Sequence, residues 1–144
     1  MPKVNFGSFR MEAPPDWTLS SIALVGPLGD SAPNAFQRNL FVNMERVGPG
    51  DTPETHLEHQ IAALAAAGIE RAEVSPPESL SLADGRPAVL YEQILMGQGG
   101  ERVRQMQLIF VKDGIAHTAI ASELDGSSFD SVRDELRTML LSFE

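Results

Sequence analysis

The chain has 144 residues, 42% of them apolar and 22% charged, enough for one domain with its own core and too few for two of ordinary size. Eleven Lys and Arg against twenty Asp and Glu leave a net charge of −9, a surface that repels phosphate backbones and anionic lipid and so argues against nucleic-acid partners. With no cysteine, disulfide scaffolds, thiol nucleophiles and cysteine-ligated metal sites are excluded.

Val4 to Ala13 alternates loosely around Gly7, with Phe6, Phe9 and Met11 apolar, and predicts one strand or two short ones. Pro14-Pro15 stops it, because proline cannot donate to a ladder. Trp17, the single tryptophan, follows this pair and is expected to be anchored, so that truncation to alanine costs about 3 kcal/mol. Ile22 to Val25 predicts a short strand ended by Gly26-Pro27, residues 28–37 carry loop chemistry, and Asn39 to Val47 predicts a further strand. A helix opens at Thr52 as N-cap, with Pro53 at its first position and Leu57, Ile61, Leu64 and Ala65 on one face, and Gly68 stops it. The alanines at 62, 63, 65, 66 and 67 make this helix thin.

Glu73 to Leu82 reads as extended, interrupted by Pro76-Pro77. Asp84-Gly85 is a turn, Pro87 to Met96 a strand, and Gly97 to Gly100 a hairpin loop. Val103 to Lys112 and Ile115 to Ser122 are strands joined by the tight turn Asp113-Gly114. A second helix from Ser127 or Ser128 lines up Phe129, Val132, Leu136, Met139, Leu140 and Phe143. Strands joined by short turns must pair antiparallel, so the expected architecture is α+β: an antiparallel sheet of about five or six strands with two main helices, in one domain over residues 1–144.

Chemistry is scarce in this pattern. His56 and His59 are three apart on the first helix, not the four of the zincin motif, and a solvated helix face is the expected setting. His117, mid-strand with no acid near it in sequence, reads as structural rather than as a general base. The glycines at 97, 99 and 100 precede a strand, whereas a phosphate cradle needs a helix N-terminus. The turn and cap positions of the aspartates explain them. No enzyme, cofactor or metal is expected. No apolar run approaches the roughly 20 residues of a membrane span, and Met1 to Phe6 lacks the apolar stretch of a signal peptide, so a soluble cytoplasmic protein without stable membrane insertion is expected.

Several strands are apolar on consecutive positions: Ile22 to Val25, Leu40 to Val42 and Leu108 to Val111. An antiparallel sheet with one wet face should alternate. Either helices cover both faces, or part of one face is reserved for a partner.

The order Phe9-x-Met11-x-x-Pro14-Pro15-x-Trp17, Ser21-Ile22-x-Leu24, Asn39 to Glu45, Gly85-Arg86-Pro87-Ala88-Val89-x-Tyr91, Arg104 to Gln107 and Leu141-Ser142-Phe143 resembles the DcrB-like family. The resemblance spans the chain, and it implies an α/β/α sandwich of the Mog/PsbP-like type. Cytoplasmic relatives look like the Eag-type adaptor chaperones of type VI secretion, which bind the hydrophobic N-terminal segments of effectors, usually as dimers. The resemblance thus implies a non-enzymatic chaperone, a homodimer, and a hydrophobic effector segment as partner. By the same resemblance, the strand carrying Ile22 and Leu24 lines the effector groove, those two residues being the protein-binding site; Met44 stands where many relatives carry a basic residue. The alternative is a stand-alone small-ligand-binding or structural module of the same fold.

Overall fold

A computed structural model describes residues 3–6, 9–16, 18–20, 23–25, 36–96 and 100–143. The expectations for Trp17, Ile22, most of the 28–37 loop and the glycine hairpin at 97–99 lie outside these residues.

The chain begins with a hairpin of β1 (Lys3–Phe6) and β2 (Phe9–Glu12), paired antiparallel with Phe6 opposite Phe9. β3 (Thr18–Ser20), β4 (Ala23–Val25) and β5 (Asn39–Arg46) follow, then helix α1 (Pro53–Ala66). β6 (Glu78–Ser81), β7 (Pro87–Met96), β8 (Arg102–Lys112) and β9 (Ile115–Leu124) form a meander, and helix α2 (Ser127–Leu141) ends the chain. The described strands after β2 make one seven-stranded sheet in the order β3-β4-β5-β9-β8-β7-β6, every pair antiparallel. Thr18–Ser20 and Glu78–Ser81 are three and four residues long at the two edges, which takes the count past the six expected. The crossover through α1 carries the chain from β5 to the far edge, and the meander returns it so that β9 pairs with β5.

Local chemistry sets these boundaries. Thr52 accepts a hydrogen bond from the Thr55 backbone N–H while the Thr55 hydroxyl accepts from the Thr52 N–H, satisfying two donors that the first turn of α1 would leave orphaned. Asp113 and Gly114 both adopt positive φ, 54° and 74°, as the tight turn between β8 and β9 requires.

The helices lie on opposite faces of the sheet. α2 buries Phe129, Val132, Leu136, Met139 and Leu140 against Leu40, Val42, Leu90, Met106, Leu108, Phe110, Ala119 and Ala121, and Phe143 just beyond the helix joins them. α1 packs through Leu57 and the half-buried Ile61 on Val89, Tyr91 and Ile109, a much smaller cluster. Alternation along the central strands thus feeds two cores, which accounts for the continuous apolar run Leu108-Ile109-Phe110. The α/β/α sandwich has its larger core on the α2 face. On the α1 face it covers only part of the sheet.

Candidate functional site

The uncovered part of the α1 face is a cleft of about 390 Å³. Ala63 and Leu64 of α1, Leu95 of β7 and Ile120 of β9 supply its apolar wall. Its floor is polar: Tyr91 and Gln93 of β7, Gln105 and Gln107 of β8, with Asn43 and Glu45 of β5 and Gln60 of α1 at the side.

Register brings the amides together. Tyr91 lies opposite Gln107 and Gln107 opposite Ile120, while Gln93 lies opposite Gln105, so these side chains share one face in two adjacent rows. The Tyr91 hydroxyl donates to Gln107 Oε1 at 2.7 Å. Gln107 Nε2 donates to Gln105 Oε1 at 2.8 Å, and Gln93 Nε2 reaches the same oxygen at 3.3 Å. Arg71 Nε, just past α1, donates to Gln93 Oε1, and its guanidinium lies 5.8 Å from the centroid of the Tyr91 ring. Each side chain in this ladder is held by its neighbour, and no buried side-chain nitrogen or oxygen among the described residues lacks a partner. Burial pushes the Tyr91 phenol up to about 12, with the Arg71 charge opposing.

The inward stripe of α1 is Pro53, His56, Leu57, Gln60 and Ile61, so it includes two polar residues. His59 is exposed, as a solvated helix face requires, but His56 is buried at 3% exposure, which corrects the expectation for that residue. Its burial is tolerated because Gln60 provides a partner: Gln60 Nε2 lies 3.1 Å from His56 Nε2 and donates to Thr118 Oγ1 of β9 at 2.7 Å. Glu45 Oε2 stands 3.8 Å from the same His56 nitrogen. Sequence spacing placed His56 on the helix but could not show that β9 offers Thr118 beneath it.

His117 is on the other face, stacked on Phe110 at 4.8 Å between ring centroids with planes 2° apart. Burial holds its imidazole below the ordinary histidine value, the neighbouring Lys112 and Arg86 charges adding to this and the Ile115 carbonyl opposing. Its role is structural. A second polar cluster joins Arg104 to Asp125 at 2.8 Å, to Glu73 at 3.3 Å and to Glu92 at 3.4 Å, with Arg133 closing on Glu92 at 3.0 Å. These pairs tie the segment after α1 to the sheet and to α2. Among the described residues no three His, Asp or Glu side chains converge as a metal site would need, and no helix is long and apolar enough to cross a membrane.

Of the two residues first singled out for protein binding, Leu24 lies in β4 opposite Leu40, in the row that continues through Ala121 and Met106. Ile22 lies outside the described residues. The amide ladder escaped the sequence reading, although Gln105 and Gln107 at alternate positions of one strand and Gln93 in the strand before it were its visible signal.

No family model and no curated protein matches the chain. Solved structures do match along nearly its whole length. LpqN, involved in cell envelope biogenesis of Mycobacterium tuberculosis, aligns with a TM-score of 0.64 at 17% identity over 99% of this chain and 88% of that one. PsbP (CyanoP) from the cyanobacterium Synechocystis aligns with 0.57 at 15% identity over 98% and 94%. The chain has the PsbP-like fold. A third protein of this fold, PA94 from Pseudomonas aeruginosa, described as of unknown function and a putative regulator, gives 0.59 at 14% identity over 95% and 91%. The expected α+β sandwich is therefore the observed one, and identities this low carry the fold alone.

Proposed function

We propose that the chain is a non-enzymatic adaptor chaperone, of the Eag type within the DcrB-like proteins, whose α1–sheet cleft receives an apolar N-terminal segment of a bacterial secretion effector. One observation carries this reading: the sheet face opposite α2 is left open beside a helix whose second half, Ala62 to Ala66 apart from Leu64, is exposed. An apolar helix laid there inserts side chains from one stripe between Ala63, Leu64, Leu95 and Ile120, the usual way a groove takes a helix. The lining also supports a binding role over a catalytic one. Burial keeps the Tyr91 phenol protonated up to about 12, so it is no base poised near neutrality, and the Glu45 side chain is 73% exposed rather than buried. Action in the cytoplasm before export, and as a homodimer, belongs to the same proposal.

The test uses as its probe the N-terminal segment of a secretion effector that carries apolar helices. Ala63→Trp fills the cleft from an exposed helix position, at a cost in helix propensity of about 0.5 kcal/mol. Co-purification of the effector's N-terminal segment should fall at least about tenfold while thermal melting stays near wild type. Undiminished co-purification by a folded Ala63→Trp would sink the reading. Ile22→Asp with Leu24→Asp examines the strand segment beside β5: a stable double mutant that loses the segment extends binding to that strand, outside the α1 cleft, and a melted one makes those residues core.

The amide ladder favours a second reading, a module for a small neutral ligand bearing hydroxyl or carbonyl groups, since Gln105 Nε2 and one proton each on Gln93 and Gln107 remain to be satisfied. A rise in Tm with such compounds, and none with apolar peptide, would decide for it.

A further inference from the structure

The sense of the amide ladder is set from its Arg71 end. An arginine Nε–H only donates, so the Gln93 atom that meets it must be the oxygen. The Gln93 nitrogen then faces Gln105 at 3.3 Å, where it needs an oxygen, and Gln107 Nε2 gives that same oxygen a second proton at 2.8 Å. Gln107 Oε1 is left to accept from the Tyr91 hydroxyl. Turning any one of these amides over would set donor against donor or acceptor against acceptor. Gln105 Nε2 therefore has both of its protons unspent among the described residues.

Arg71 carries charge to the same place. Arg38, Arg86, Arg102, Arg104, Arg133 and Arg137 each have a carboxylate partner, whereas Arg71 has none among the described residues and engages only its Nε. No buried side-chain nitrogen in this set lacks a partner, so the terminal nitrogens of Arg71 and Nε2 of Gln105 are open to solvent. The two floor rows, Tyr91–Gln107–Ile120 and Gln93–Gln105–Ser122, contain no acid. Glu45 lies opposite Ala116 and Ala116 opposite Val111, six residues along β8 from Gln105, about 20 Å at 3.4 Å per residue. Beside the donors stand the apolar walls of Leu64, Leu95 and Ile120. A cleft of about 390 Å³ with such walls and a few convergent polar groups suits a small amphiphile.

We infer that Gln105 and Arg71 bind the carboxylate of a straight-chain aliphatic acid, whose alkyl chain lies against Leu64, Leu95 and Ile120. A carboxylate only accepts and takes several N–H groups at once, which matches an array of unspent protons beside an unpaired guanidinium. In a molecule of net charge −9, this local array holds the anion against the overall field. The ligand is anionic, unlike the neutral one considered above, and its binding does not depend on the cleft also taking an effector segment.

Octanoate below its micelle concentration is the probe, titrated calorimetrically into the whole chain, with hexanoate, acetate and 1-octanol beside it. Octanoate should bind saturably, shift the Gln105 side-chain amide protons in NMR spectra, and exceed hexanoate about two- to fourfold per methylene. Hydrogen bonds to a charged group predict at least about tenfold weaker binding of 1-octanol. Gln105→Glu keeps an oxygen for Gln93 and Gln107, so the ladder holds, but puts negative charge where the unspent protons were. It should weaken octanoate about ten- to a hundredfold, leave 1-octanol unchanged and melt near wild type. Arg71→Met removes the charge from the other side and should weaken octanoate at least about tenfold, with 1-octanol again unchanged. Absence of saturable octanoate binding overturns the inference, as does 1-octanol or acetate binding as tightly as octanoate. A folded Gln105→Glu that binds octanoate undiminished overturns it too. An effector segment that fails to bind changes none of these outcomes, so the two readings fail separately.

Discussion

Tyr91 is the single tyrosine of the chain, so tyrosinate absorbance reads one phenol at the floor of the cleft. The ring is 4% exposed, and burial raises the phenol from 10.0 to about 12. The sign follows from linkage: a folded value above the unfolded one favours the protonated form, so the contribution is complete below about pH 10 and is lost as pH rises through about 12. Two units at about 1.4 kcal/mol each make roughly 3 kcal/mol, an upper figure for stability lost between neutral pH and pH 12. Tyr91→Phe has nothing to ionise. It forfeits the bond to Gln107 Oε1, about 1 kcal/mol, because that oxygen borders the cleft where water can replace the donor. Wild type should therefore be more stable at neutral pH and less stable in strong alkali, the two curves crossing within about one unit above pH 10. Urea melts of both proteins from about pH 7 to about pH 12, with absorbance and circular dichroism followed together, provide the assay. A reversible tyrosinate midpoint near pH 10 with the fold intact would refute the reasoning, since it would mean that water, not Gln107, solvates the phenol.

Three further outcomes are expected. His117 is held below the ordinary histidine value by burial, so the unfolded chain binds its proton first and stability should fall as pH drops below about 6.5; His117→Phe, which keeps a ring on Phe110, should flatten that acid limb in urea melts between about pH 7.5 and about pH 5. Leu136→Ala, at a fully buried position of α2, should cost about 2–5 kcal/mol, and a loss under about 1 kcal/mol in denaturant would show that α2 does not close that face. Glu92→Gln removes the carboxylate shared by Arg104 and Arg133 and should cost about 1–3 kcal/mol with weak salt dependence, because the Glu92 side chain is only 18% exposed; a difference abolished by added salt would make the pair a surface one.

Legibility in the sequence followed periodicity. The α2 stripe from Phe129 to Phe143 states both the helix and its buried face, because every member is apolar and packs on an apolar strand row. Turn chemistry was equally direct at Asp113-Gly114, where positive φ at both positions leaves few alternatives. The α1 face was legible only by half. Thr52 and Pro53 gave its start, yet its inward stripe mixes Leu57 with His56 and Gln60, and a polar residue turned inward looks in sequence like one turned to water. What separates the two cases is a partner from a distant strand, here Thr118, 58 positions away from Gln60. The cleft was hidden for the same reason: Gln93, Gln105 and Gln107 look like ordinary strand polar residues until register sets them side by side.

That register also explains how the cleft stays open in a fold that could have closed it. On the rows facing α1, the sheet runs from apolar at Val89, Tyr91 and Ile109 to amide at Gln93, Gln105 and Gln107. Leu57 and Ile61 dock on the apolar end, where burial gains about 25 cal/mol per Å². Over the amide end the helix offers alanines, whose small apolar area cannot offset the desolvation of the amide protons that the ladder does not use. Pairing within the ladder lowers that desolvation cost without removing it, for each amide spends only part of its capacity on its neighbours. A partner that brings larger apolar side chains together with a few hydrogen-bonding atoms can therefore cover what α1 leaves bare. On the α2 face Met106, Leu108 and Phe110 instead meet Leu136, Met139 and Phe143 in one apolar cluster, and the hollow on that side, about 200 Å³ beside Glu78, Leu90, Met106 and Arg137, is smaller than the cleft.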